Sequence, residues 1–122
     1  MGIFRVPIQI GSLAEDRFVR LDALVDTGAT YTWVARDLLA SLGIKGDEER
    51  AFVLADGRRT TYEIAWARIR IGNRTHPTIM VLGDPGSDTL LGAFALEGFG
   101  LAADPTNERL VRVPGMLKQT AV

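Results

Sequence analysis

Apolar and polar residues alternate through much of this chain. In "RFVRLDALV", residues 17–25, Val19, Leu21, Ala23 and Val25 fall on one face, and Phe18, Arg20 and Asp22 mostly on the other. A period of two predicts a half-buried strand. "IFRVPIQI" predicts a strand before it. "TYTWVA", rich in β-branched and aromatic residues, predicts one after it. "AFVLA" and "RTTYEIAWARIRI" flank Asp56 and Gly57, the strongest short hairpin signal in the chain. They predict two strands joined by a two-residue type I′ turn with positive φ at Gly57. "GNRT" turns the chain into "HPTIMVL", and "LAADP" with "RLVRV" predicts a last hairpin around "PTNE".

Helical spacing is confined to two places. In "RDLLASLG", Leu38, Leu39 and Leu42 share a face, and Gly43 suits a left-handed C-terminal cap. "TLLGAFALEGFG" begins apolar and becomes helix-like, which predicts one principal helix near residues 92–99. "GDEER", residues 46–50, reads as a polar loop. The β-runs are too short and closely spaced for βαβ units. The expectation is a mostly β chain, a small closed or nearly closed β-barrel, in one domain over residues 1–122.

Composition narrows the function classes. A chain of 122 residues, 47% hydrophobic and 24% charged, suits an ordinary globular domain. The formal charge is −1 and the basic residues are scattered, which argues against nucleic acid as a partner. There is no cysteine, so disulfides, zinc–thiolate sites and thiol catalysis are excluded. That fits a reducing cytoplasm. No apolar run has transmembrane length and the N-terminus reads as a strand, so no membrane association is expected. No acidic or histidine cluster has metal-ligand spacing, and "GFGLAA" at 98–103 follows a helical segment where a dinucleotide loop would follow a strand. No cofactor and no metal are expected. His76, the single histidine, stands beside Pro77 and reads as a surface strand-edge residue; Trp33 and Trp66 read as core or pocket-wall residues.

The remaining chemistry sits in "ALVDTGATYTWV", residues 23–34, where a strand runs straight into Asp26. A half-buried carboxylate there is costly unless it is solvated by the protein. Thr27 can donate its hydroxyl. Gly28 lets the backbone turn tightly and present N–H groups. A structural Asx-turn would use the same residue types. What separates the two readings is "TLLGAFAL", some 64 residues on, where Leu90 and Leu91 precede Gly92 and the helical segment.

With both motifs in this order, the chain resembles the retroviral-type, single-domain aspartic proteases and their bacterial and archaeal relatives, over about residues 3 to 100. The resemblance implies that Asp26, Thr27 and Gly28 form the catalytic loop. It also implies that Ala29, Thr30 and Leu91, with Ala55, Asp56 and Gly57 of the hairpin, meet substrate. Leu90, Leu91 and Gly92 match the element that passes beside the loop, and the hairpin falls where the family carries a flap. Three features depart from the family pattern: Thr30 stands where an acidic residue is usual, the hairpin tip "ADGR" has one glycine, and the chain continues after the helix.

The chemistry of this class needs two carboxylates about 3 Å apart that share one proton. The ionised one is general base on a water. The protonated one polarises the scissile carbonyl. This chain holds one D-[S/T]-G, so the second carboxylate would be Asp26 of another copy, on a two-fold axis. Thr27 would then reach across that axis, as the resemblance implies. The expected function is a homodimeric aspartic endopeptidase acting on peptide or protein substrates. The alternative is a dimerisation or peptide-binding module of the same fold with little or no proteolysis.

Overall fold

A computed structural model describes residues 2–115 of the chain. The remainder of the predicted 1–122 domain, residue 1 and residues 116–122, lies outside the described residues. Among the described residues nine strands and two short helices follow one another as β1 (Gly2–Gly11), β2 (Phe18–Asp26), β3 (Thr32–Ala35), α1 (Arg36–Ser41), β4 (Glu48–Val53), β5 (Arg59–Ile71), β6 (Arg74–Gly83), β7 (Leu90–Leu91), α2 (Ala93–Phe99), β8 (Leu101–Asp104) and β9 (Arg109–Arg112).

Seven strands form one sheet in the order β1-β2-β7-β3-β6-β5-β4, and β1 also pairs with β5. The sheet therefore closes on itself as a ring, the arrangement anticipated as a closed barrel. The alternation in β2 sets which side faces inward: Ala23 and Val25 are fully buried, and Val19 and Leu21 pack partly buried against the same core. Ile8 and Ile10 of β1, Ala67 and Ile69 of β5, and Met80 of β6 fill it from the other strands. Each isoleucine or leucine so buried contributes roughly 1.5–3 kcal/mol relative to exposure.

α1 closes one side of the core with Leu39 and Leu42. Its end is a Schellman motif. The Ile44 N–H donates to the Leu39 carbonyl, the Gly43 N–H donates to the Ala40 carbonyl, and Gly43 takes φ +75°. Ile44 is itself buried and adds the apolar contact that accompanies this cap.

Two expectations need correction. The predicted polar loop over 46–50 is half strand: Glu48, Glu49 and Arg50 pair with Ile64, Glu63 and Tyr62. β4 is an outer strand with both Glu side chains exposed, so it shows no apolar face to read. Its charges also blunt an open sheet edge. The hairpin turn is not type I′. The Gly57 N–H donates to the Leu54 carbonyl, the Leu54 N–H donates to the Arg58 carbonyl, and Gly57 has φ +87°. Asp56 does not have positive φ, since Glu108 is the only such non-glycine among the described residues. This is a three-residue loop, a type I turn closed by a glycine bulge, and Asp-Gly serves it as well as it serves type I′.

Thr78 on β6 is 2% exposed and its hydroxyl oxygen has no hydrogen-bond partner among the described residues. A buried polar atom left unpaired costs about 1–3 kcal/mol. Thr78→Val replaces that hydroxyl with a methyl of similar size. We expect it to raise unfolding free energy by about 1 kcal/mol, read as a higher urea midpoint at unchanged slope. A lower midpoint would show that the hydroxyl has a partner in solution.

Candidate active site

β2 ends at Asp26, and the chain turns there in two steps. The Gly28 N–H donates to Asp26 Oδ1 at 3.0 Å, and the Ala29 N–H donates to the Asp26 carbonyl at 3.1 Å. The carboxylate is thus oriented by the backbone that follows it, as the tripeptide predicted.

What holds this turn from behind is the second motif. β7 lies between β2 and β3, with Leu24 and Val25 parallel to Leu90 and Leu91, and Trp33 opposite Leu90. α2 starts immediately after it. Its first N–H groups have no carbonyl within the helix to bond. The Ala93 N–H donates to the Ala29 carbonyl at 2.8 Å and the Phe94 N–H to the Thr30 carbonyl at 2.9 Å. The Gly92 N–H donates to Thr32 Oγ1, which is buried. β3 begins only at Thr32, two residues later than predicted, because the carbonyls before it are committed to the helix.

Gly92 is required by this approach. A Cβ there would sit 2.5 Å from both the carbonyl carbon and oxygen of Tyr31, and 2.9 Å from the Ala29 oxygen. All three are backbone atoms of the Asp26 loop.

A cleft of about 360 Å³ opens over the loop, lined by Asp26, Gly28, Ala29, Thr30, Tyr31, Trp33 and Leu90 on one side. Phe52, Val53, Leu54 and Ala55 of the β4–β5 hairpin line the other. An aromatic cluster fixes that hairpin against β3. The Trp33 ring meets Phe52 at 5.4 Å and Tyr62 at 4.9 Å, and Tyr31 meets Phe52 edge-on at 6.3 Å. Arg50 Nη1 donates to Tyr31 Oη at 2.8 Å. Burial, with the Asp84 carboxylate beside its hydroxyl, raises the Tyr62 pKa.

The predicted site residues divide accordingly. Asp26, Gly28, Ala29, Thr30 and Ala55 share the cleft. Asp56 and Gly57 form the outer turn, where the Arg58 backbone N–H and then its guanidinium lower the Asp56 pKa. Leu91 is fully buried in the core; its neighbour Leu90 faces the cleft instead. Thr27 is exposed and lines a separate hollow with Ala93, Leu96, Leu101 and Ala103, away from the Asp26 cleft. Tyr31 and Phe52 were not among the predicted contacts, whereas Trp33, read as a core or pocket-wall residue, lines the cleft. The alternation in "TYTWV" was the available signal, since it puts Tyr31 and Trp33 on the face opposite buried Thr32 and Val34.

The loop, the intervening β7 and the hairpin coincide with the span of a known family. The model of a family described as aspartyl protease matches residues 6–94. The chain belongs to the aspartyl protease family. Among solved structures, the protease of simian foamy virus (mac) is similar at 16% identity and TM-score 0.53, covering 77% of this chain and 94% of that one. The retroviral protease-like domain of Ddi1 from Leishmania major is similar at 16% identity and TM-score 0.56, covering 92% and 89%. A protein of unknown function from Legionella pneumophila has 17% identity and TM-score 0.52, covering 92% and 96%. At these identities the likeness is one of fold. No curated protein matches the chain. No helix among the described residues of this aspartyl protease family member is long and apolar enough to cross a membrane.

Gly92→Ala tests the junction between loop and helix. Backbone atoms 2.5 Å away must shift, so we expect a loss of about 1–3 kcal/mol, measured by urea unfolding. Wild-type stability would contradict this packing.

Proposed function

We propose that the chain is an aspartic endopeptidase that works as a homodimer. The observation that carries this reading is Asp26, held by the Gly28 N–H at the base of a cleft roofed by the tip of a β-hairpin. One chain supplies one such aspartate. The second carboxylate comes from Asp26 of a second copy, and the two share a proton because like charges that close cannot both ionise. The ionised carboxylate takes a proton from a water between them as that water attacks the peptide carbonyl. The protonated one donates to the carbonyl oxygen. Collapse of the tetrahedral diol then breaks the C–N bond as the amine nitrogen is protonated. The extended substrate lies between the loop and the hairpin, which acts as a lid.

The exposed position of Thr27 supports the dimer. It borders an apolar hollow of about 440 Å³ with Ala93, Leu96, Leu101 and Ala103, beside the loop that must meet its copy. We assign that surface to the partner, and the single domain to a reducing compartment such as the cytoplasm, which suits a chain without cysteine. A chain that binds extended peptides in the same cleft without cutting them is the competing outcome.

Asp26→Asn keeps shape and removes the general base. We expect cleavage of a mixed peptide library to vanish while the fold and the dimer persist. In the wild type, specific activity should fall on dilution below the dimer dissociation constant. Undiminished cleavage by Asp26→Asn, or activity independent of concentration in a monomer, would end this reading.

Gly57→Val addresses the lid. An added Cβ meets nothing within 4 Å, so the cost is confined to forcing a β-branched residue to φ +87°. That strain is about 1–2 kcal/mol. We expect kcat/KM to fall by more than the loss of thermal stability accounts for. Equal kcat/KM would mean the hairpin does not close over substrate.

A further inference from the structure

Five large apolar side chains are exposed among the described residues: Leu13, Val53, Trp66, Phe94 and Val113. Val53 lines the Asp26 cleft. Trp66 and Phe94 line a second hollow of about 400 Å³ between the β5–β6 strands and α2. His76, Thr78, Gly98 and Phe99 complete most of its wall. Exposed apolar surface gathered into concave sites marks binding more than scattered single residues do.

The two hollows are joined by a row of rings. Tyr31 lines the cleft, and its ring meets Phe94 at 5.8 Å. Phe94 in turn meets Trp66 at 6.3 Å. Laid end to end, these separations put Trp66 at most about 12 Å from Tyr31. Roughly four residues of extended chain cover that distance. Deeper in the hollow the Phe99 ring stands edge-on to His76 at 4.6 Å. Three aromatic walls around one space favour an aromatic occupant, since rings pack edge-to-face with gain beyond their buried area.

We infer that the hollow under Trp66 is a remote subsite of the Asp26 cleft, which takes an aromatic side chain of the same peptide about four residues along from the one that meets Tyr31. The inference rests on the peptidase reading of the cleft. Trp66 and Phe94 are then specificity-determining residues that touch substrate without touching the reacting atoms.

Gly98→Leu tests it. Gly98 sits on the wall of the hollow in α2, where an added Cβ meets nothing within 4 Å. Leucine also favours helix over glycine, so the variant should fold. Two measurements are made on wild type and variant. In the first, N-acetylphenylalaninamide is titrated and the Trp66 indole N–H resonance followed. A saturable shift is expected in wild type, weakened about tenfold in Gly98→Leu. In the second, a mixed peptide library is cleaved. Aromatic residues should be enriched at one position several residues from the cut, and the enrichment should disappear in Gly98→Leu.

Cleavage without aromatic enrichment, or enrichment that survives Gly98→Leu, overturns the subsite and leaves the peptidase reading standing. A saturable shift in a protein that cuts nothing at any concentration overturns the peptidase reading, and with it the hollow's role as a subsite, leaving an aromatic-binding site. No shift and no enrichment overturn the hollow altogether.

Discussion

The junction on which this structure depends is made of peptide groups. The loop after Asp26 has carbonyls with no sheet partner, and α2 has N–H groups with no helical partner. Ala29 and Thr30 accept from Ala93 and Phe94, so each element satisfies what the other lacks. A helix of seven residues is too short to persist alone in water. It exists here because the loop completes its first turn and because Ala95, Leu96 and Phe99 are buried against the sheet. Gly92 permits the contact by having no side chain, and β7 delivers it by threading between the two arms that carry the loop.

Around that junction the molecule separates rigid from adjustable parts. Asp26 is oriented from its own backbone, and the backbone is braced from behind. The cleft walls are side chains: Tyr31 and Trp33 below, Phe52 and Leu54 above. The orientation of the carboxylate therefore comes from its own backbone and not from the aromatic and apolar side chains that line the cleft. The bidentate pair between Arg5 and Asp88, at 2.7 and 3.0 Å, adds a tie from β1 to the segment entering β7. It holds the Asp88 pKa down, but as an exposed pair it adds little to stability.

Much of this was legible in the sequence, for identifiable reasons. β2 could be read because one of its faces is core and the other is not. Gly43 could be read because a left-handed cap excludes most other residues. The Asp26 loop and the Leu-Leu-Gly element could be read through their joint resemblance to a family's motifs, and the close backbone approach at Gly92 is the physical reason that position holds no side chain. β4 could not, because Glu48 and Glu49 face solvent and the half-buried position of Arg50 holds a charged side chain with no apolar period. The turn type could not, because Asp-Gly suits two loop geometries whose difference lies in hydrogen bonds. The cleft role of Leu90 in place of Leu91 could not, because adjacent strand residues face opposite ways and only the pairing with Trp33 and Val25 decides which is inside.

β5 runs without a break from Arg59 to Ile71, pairing first with β4 and then with β6 and β1. The same strand is an arm of the hairpin and a stave of the ring. The described residues between these parts contain no glycine or turn at which the hairpin could swing. Any displacement of its tip must therefore bend a continuous ribbon, and the restoring force comes from the ring. Mechanically this is a leaf spring clamped at one end, whose stiffness is set by the hydrogen-bonded length behind the clamp and whose rest position needs no latch.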